Sequence, residues 1–357
     1  MYGRKPLGLN KLVKRRRGSL DGPTVMNHMV RYFGRCLCTI ALSEISRDLG
    51  VDPVTLAELR TPGCFFDIPW GVDMAGKEYY LTDVFAEGPY AGNRLATIID
   101  ASDLSSTEMQ RIALAFNFAE TTFICGGNSE DGFNVRIFTP AAEIPFAGHP
   151  TLGTAYLLRQ VLKYSDAQVV KLNLAAGKIP VTFGRDDVLW MQQNQPVFGE
   201  QLEHGFVAEQ LGIDIKDLNT RYPCQYVSTG LRFLMIPLVS IEALKRVSVD
   251  VNDLAPSVFL FAEGGYDDDQ QMSARMFAAE FGIIEDPATG SANGCLAAYL
   301  VEHRYFGSSE IDVRVGQGYE VQRPSQLYLR ASKDREGKFD INVGGRVNLV
   351  ARGQWLL

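Results

Sequence analysis

The stretch EIPFAGHP, Glu143–Pro150, returns as EDPATGSA, Glu285–Ala292, and both copies follow the template E-x-P-x-x-G at an offset of 142 residues. The likeness continues past the template. AGHPTLGTAYLL (147–158) and TGSANGCLAAYL (289–300) each open on a glycine-centred turn and run into a small, apolar helix of Ala, Leu and Tyr. A helix with small apolar side chains all round has no polar stripe to give to water, so it is expected to be enclosed on every side, here by a curved sheet. Two such helices imply two similar halves, each a sheet wrapped around one helix.

The residues around the repeat supply the sheets. From Met74 onward, AGKEYYLTDVF reads as a strand, and so do VRIFTP, VVKLNL, KIPVTFG, VLWMQQNQP, RFLMIPL, SVFLFAE, SARMFAAE, IDVRVGQ, SQLYLRASK and FDINVGGRVNLVARG. They are β-branched and aromatic, with turn residues between them. SSTEMQRIALAFNF reads as a helix capped by Ser106, with Met109, Ile112, Ala113 and Phe116 at helical spacing. The other clear helices both begin at the repeated phrase.

That phrase has a chemistry of its own. The first N–H groups of a helix lack partners and act with the peptide dipoles as about half a positive charge. Gly148 and Gly290 let a ligand approach this backbone closely. If the halves face each other about a pseudo-twofold axis, both N-termini point into one cleft, which suits a small acidic metabolite held by its carboxylate. Gly92-Asn93, after the strand ending DVF, and Glu120, between a helix and TTFI, fit the same site. A carboxyl at the mouth of a dry cleft has its pKa raised and can act as a base near neutrality, although a Glu at a helix end can equally be a cap or lie in solvent.

The totals exclude several classes. With 35 Lys+Arg against 42 Asp+Glu and 46% hydrophobic residues, the chain of 357 residues has an ordinary globular composition, and nucleic acid or anionic membrane is not its expected main partner. The charge is unevenly spread: residues 1–73 hold 11 basic and 7 acidic side chains, and the rest is distinctly acidic. No apolar run is long enough to span a bilayer, and KLVKRRRG leads into polar SLDGPT rather than the apolar core of a secretory signal, so the cytoplasm is expected. Six scattered cysteines without a CxxC pair read as reduced core thiols. Residues 1–73 read as a poorly ordered extension, with Met74 a plausible initiator in its own right. Within the extension, LSEISRDLGVDPVTLAELR has the spacing of a helix-turn-helix, but its second helix is cut short at Pro62-Gly63.

Taken in order, GPYAGNRLA, FAETTF, VRIFTPAAEIPFAGHPTLG and EDPATGSANGCLAAYL closely resemble the phenazine-biosynthesis PhzF-like family, from about Asp83 to about Gly353. The resemblance implies an α+β, diaminopimelate epimerase-like fold, with two pseudo-symmetric domains that each wrap a curved, mostly antiparallel sheet around a central helix. The expected division is 74–198 with a strand from 340–357 returning to it, then 199–339. By the same resemblance Glu120 is the acid/base residue and His149 and Asp286 line its site as catalytic partners; with the reading of the residues above, Gly92, Asn93, Gly148, Thr289, Gly290 and Ser291 are expected to bind substrate. The turn at Gly290-Ser291 would give backbone donors to a carboxylate.

The two catalytic thiols of the epimerase relatives fall near Ala147 and Thr289, and neither is Cys. The nearest thiol, Cys295, reads as a core residue. Racemisation by two bases would therefore lack its pair, and a proton shift by one carboxylate on one face remains. The expected activity is a cofactor-independent isomerase of a small carboxylated, amine-bearing metabolite, with no metal and with a homodimer left open as its assembly. An epimerase or racemase, a noncatalytic small-molecule binder and a DNA-linked regulator are the competing readings. His149 can also merely cap or pack, Asp286 can be an Asx cap of the second helix, and Glu143 and Glu285 can anchor turns, with Arg136 neutralising one of them.

Overall fold

The computed structural model describes residues 76–248, 257–278 and 283–357, all within one unit, Met74–Leu357. The helix-turn-helix-like pattern and Cys36, Cys38 and Cys64 lie outside the described residues.

In chain order the first elements are β1 (Gly76–Val84), β2 (Asn93–Ile98), α1 (Ser106–Phe116), β3 (Glu120–Asn128), β4 (Gly132–Phe138), β5 (Glu143–Ile144), α2 (Gly148–Tyr156), β6 (Val169–Leu174), β7 (Gly177–Phe183) and β8 (Leu189–Gln192). There follow β9 (Val197–Leu202), α3 (His204–Leu211), β10 (Cys224–Ser228), β11 (Arg232–Pro237), α4 (Ile241–Arg246), β12 (Val258–Glu263), β13 (Met272–Ala278) and β14 (Ile283–Asp286). The chain closes with α5 (Gly290–Glu302), β15 (Glu310–Gln317), β16 (Ser325–Lys333), β17 (Phe339–Gly345) and β18 (Val347–Leu356).

Strand pairing writes the duplication out. One series runs β18-β1-β2-β3-β4-β6-β7-β8 and the other β9-β10-β11-β12-β13-β15-β16-β17. Their parallel joints fall at matching places, β2/β3 with β11/β12 and β4/β6 with β13/β15, and the neighbouring pairs are antiparallel. The series meet at β8 and β17, which occupy equivalent ends and pair antiparallel. Of the two C-terminal strands only β18, from Val347, lies on β1. FDINVGGRVNLVARG, which reads as one extended stretch, is thus two strands parted at Arg346, one in each half. The result is an α+β architecture of two pseudo-symmetric halves.

Each half encloses its central helix, α2 against β1, β2, β3, β6, β7 and β8, and α5 against β10, β11, β15, β16 and β17. From Gly290 to Val301 every residue of α5 except Ser291 is buried. Small residues make this possible: a methyl added at Gly153 of α2 would lie 2.6 Å from Leu95 and 3.0 Å from Val84.

The helix over 106–116 is capped by Ser105 rather than Ser106. The Ser105 side chain accepts from the Glu108 N–H and the Glu108 carboxylate accepts from the Ser105 N–H, a reciprocal pair that Ser106 could not form with Met109. Ser106 instead accepts from Arg136 at 2.9 Å. Helices α3 and α4 and the strands β9 and β10 were not expected from sequence. Both helices are short, and α4 has only Ala243 and Leu244 buried, too few positions to show a period.

Candidate active site

The repeated phrase builds one site from both halves. The N-termini of α2 and α5 abut: a methyl placed on Gly148 would lie 3.5 Å from the Gly290 Cα and 3.6 Å from the Ser291 nitrogen. Neither N-cap residue, Ala147 or Thr289, caps its helix through its side chain. The first-turn donors of two helices are therefore left to whatever enters between them.

Glu120 opens β3 and His149 is the second residue of α2. Glu120 Oε2 and His149 Nε2 are 3.4 Å apart, and both atoms are sealed from solvent without a well-aligned hydrogen bond. Burial pushes the Glu120 carboxyl up to about 8, helped by the nearby charge of Asp286. Burial pushes His149 down to about 3, against a backbone hydrogen bond with Arg94 that favours the protonated ring. With Nε2 unpartnered, Nδ1 is the nitrogen left for the Arg94 backbone. The two side chains thus face each other neutral at pH 7, with a lone pair on Nε2 and a proton on the carboxyl.

Asp286 comes from the other half, at the end of β14, and is held entirely by donors. Asn93 Nδ2 donates to Oδ1 at 2.9 Å and to the Ala288 carbonyl at 3.0 Å, and the Thr289 hydroxyl donates to Oδ2 at 2.5 Å. Gln317, wholly buried, donates to the Thr289 Oγ1 and the Asp286 carbonyl and accepts from the Thr289 N–H and Asn293 Nδ2. Because Gln317 donates to the hydroxyl, the Thr289 proton must point at Asp286. These bonds oppose the burial that lifts the Asp286 carboxyl to about 6, so it is the charged member of the site at neutral pH. Asp286 accordingly does not cap α5.

Glu120, His149, Gly148, Thr289, Gly290 and Ser291 lie at this junction, while Asn93 and Gly92 act from behind. Both Asn93 amide hydrogens are taken by Asp286 and Ala288. Gly92 (φ 67°) gives its N–H to the Pro324 carbonyl and its own carbonyl to Arg323. Its left-handed φ suits only glycine here, since a Cβ would lie 2.3 Å from the Val84 carbonyl oxygen. Gln317 escaped the sequence reading because it ends a strand far from either copy of the phrase. Phe85 escaped it too. It is buried in a left-handed conformation (φ 62°), and a methyl on Gly290 would come within 3.2 Å of its ring.

Each copy of the phrase also carries an ion pair. Arg136 grips Glu143 with two bonds of 2.7 and 2.6 Å, and Arg275 grips Glu285 with 2.9 and 2.8 Å. Both carboxylates anchor the turn ahead of a central helix. Cys295 is fully buried, 3.7 Å from the Thr229 hydroxyl and the Leu231 carbonyl, and burial pushes its thiol up to about 11. Among the described residues no three His, Cys, Asp or Glu side chains gather to hold a metal ion, and no helix is long and apolar enough to cross a membrane.

Residues 82–353 match the phenazine biosynthesis-like protein family. The trans-2,3-dihydro-3-hydroxyanthranilate isomerase of Pseudomonas aeruginosa is 34% identical over 284 residues, 77% of this chain and 98% of that protein. The structure of the PhzF-family phenazine biosynthesis protein of Bacillus anthracis superposes with a TM-score of 0.73 at 28% identity, covering 79% of this chain and 99% of that one. A hydroxyproline epimerase of Agrobacterium vitis shares the fold at 12% identity, with a TM-score of 0.51 over 79% of this chain and 93% of that one.

Proposed function

Because the chain belongs to the phenazine biosynthesis-like family and is an isomerase of the PhzF type, we propose that it moves a proton within a small carboxylated, amine-bearing metabolite, with Glu120 as the single shuttle. The observation that carries this reading is the buried Glu120–His149 pair, two unpartnered polar atoms beside the abutting helix N-termini.

The substrate carboxylate lies between the N-termini of α2 and α5, where unpaired N–H groups and both helix dipoles favour an anion. The amine faces Asp286, whose oxygens each keep a lone pair free. A cation there offsets the negative charge that helps hold Glu120 protonated, so binding itself favours the basic form of Glu120. The Glu120 carboxylate then takes a C–H proton and returns it to a conjugated carbon on the same face. His149, fixed through Arg94, orients the Glu120 carboxyl and can accept a hydrogen bond from it when it is protonated.

The opposite face supports a one-base mechanism. The two clamp arginines fix the correspondence of the halves, since Arg136 pairs with Phe123 and Arg275 with Leu260. Three residues before Phe123 and Leu260, Glu120 in the first half matches Ser257 in the second, a hydroxyl in place of a carboxylate. The Thr289 hydroxyl is engaged with Asp286, and Cys295 points to Thr229 and Leu231. An epimerase would need a second base on this face.

The relatives' compound, trans-2,3-dihydro-3-hydroxyanthranilate, is the first probe. Glu120→Gln keeps the shape and removes the base. It should bind the probe nearly as the wild type does and turn it over at least about 10²-fold more slowly. Full turnover by the Gln variant would remove Glu120 from the mechanism.

A further inference from the structure

Glu120 and His149 belong to the first half and Asp286 and Thr289 to the second, so the site exists only while the halves stay in register. One short segment, residues 91–94, touches both sides. Asn93 holds Asp286 and the Ala288 carbonyl in the second half, and the Arg94 backbone holds His149 in the first.

What fixes this segment comes from the second half. Arg323, in the loop between β15 and β16, donates Nε to the Gly92 carbonyl at 2.9 Å and Nη2 to the Ala91 carbonyl and Asp83 Oδ1, each at 2.7 Å. The next residue's carbonyl, Pro324, accepts from the Gly92 N–H at 3.1 Å. Asp83 is fully buried and also takes a fork from Arg94, Nε to Oδ1 at 2.8 Å and Nη2 to Oδ2 at 3.0 Å. Asp83 thus lies between an arginine of each half, and the Arg323 guanidinium spreads over three acceptors around the residues that grip His149 and Asp286.

We propose that Arg323 is a positioning residue of the isomerase site: it anchors residues 91–94 so that the first-half pair Glu120–His149 and the second-half Asp286 face the same substrate. A plain ion pair would need only the contact with Asp83. The two bonds to the carbonyls of Ala91 and Gly92 fix backbone immediately before the gripping residues, which a charge alone does not do. The planar fork of arginine can serve three acceptors in this arrangement, whereas a lysine ammonium is a single point and cannot.

This inference rests on the proposed reading that Glu120, His149 and Asp286 form the active site, and the test separates the two. Arg323→Lys is made in the full chain with ¹⁵N-labelled histidine. The chain has 4 His, and the His149 signals are identified by their loss in His149→Gln. Without substrate, the wild type should show His149 as one neutral tautomer with the proton on Nδ1. The Lys variant should stay folded by circular dichroism but show a mixture of tautomers. With trans-2,3-dihydro-3-hydroxyanthranilate as probe, its turnover should fall at least about tenfold, the scale of a small misplacement of reacting groups.

A folded Lys variant with the wild-type His149 signature overturns the proposal. Arg323→Gln, which keeps a donor for one carbonyl, is the second variant, and failure of both variants to fold overturns it in favour of a structural role. Should Glu120→Gln leave turnover unchanged, the proposed reading fails, while the substrate-free tautomer measurement still judges the anchor.

Discussion

Glu120 opens β3 in the first half, and Ser257, just ahead of β12, holds the same station in the second. The two halves share parallel joints, a serine-capped crossover helix, an Arg–Glu clamp and an enclosed central helix, yet they differ at the residues gathered where the two helix N-termini meet. His149 matches Ser291 at the second position of the central helix, and Asp286 matches Ile144 on the short strand before it. Duplication therefore supplies the frame and the pair of helix N-termini, and divergence at three stations supplies the chemistry. The proposed base and its partner imidazole come from one half and the fixed anion from the other.

The clamps offer the largest contrast. Arg275 and Glu285 retain 8% and 7% side-chain exposure, and Arg275 also donates to the carbonyls of Leu244 and Val247 at the end of α4. Arg136 and Glu143 retain 31% and 38%. Arg275→Ala should cost about 3–5 kcal/mol, because it leaves a buried carboxylate unpaired. Arg136→Ala should cost about 1 kcal/mol or less, as for a largely solvated pair. Urea unfolding of both variants checks this, and equal losses would mean that the two clamps are equivalent in energy as well as in position.

Next in size is the response to pH. Glu120 must be ionised to act as a base, so kcat/KM should rise with pH to a midpoint near 8, the value to which burial and Asp286 lift it. Asp286→Asn removes a charge that raises Glu120, so the midpoint should move to lower pH even as turnover falls. A midpoint that stays in place would uncouple the halves electrostatically.

The same group marks stability. Its folded pKa lies above its unfolded one, so the contribution of Glu120 to stability is full below about pH 4.3 and is lost as pH rises through about 8. The melting temperature of Glu120→Gln relative to wild type should accordingly climb between pH 5 and pH 9. Ser257→Ala, at the matching station, should show no such trend.

The smallest contrast lies in the caps. Ser105 closes a reciprocal box on α1, whereas Ser240 accepts from the Ala243 N–H at the start of the shorter α4. Ser105→Ala should cost about 1 kcal/mol and Ser240→Ala somewhat less, both read from thermal unfolding.

Much of this frame was legible in the residues. The doubled phrase carried the central helices, because a run such as GSANGCLAAYL has only one way to bury itself, and period-two strands announced most of the sheet. The meeting of the two helix N-termini followed from the repeated Gly148 and Gly290. Pairing between halves was not legible: that Arg346 separates two strands with partners in different halves depends on β8 and β1, far away in sequence. Nor could spacing show that the Asn93 amide is spent on Asp286, that Gln317 directs the Thr289 hydroxyl, or that Arg323 closes over Ala91 and Gly92. The Asn93 and Arg323 roles arise where chain segments some 200 residues apart meet and the Gln317 role where residues 28 apart meet, and local pattern holds no trace of any of them.

The central claim is one base on one face. The most direct measurement follows trans-2,3-dihydro-3-hydroxyanthranilate by NMR with the wild-type enzyme in deuterated water, analysing both product and recovered substrate. A single Glu120 shuttle predicts a double-bond isomer with deuterium, where exchange has occurred, at the new C–H position and on one face only, and recovered substrate of unchanged configuration. Recovered substrate or product that is labelled and inverted at the stereocentre would require a second base and contradict the account.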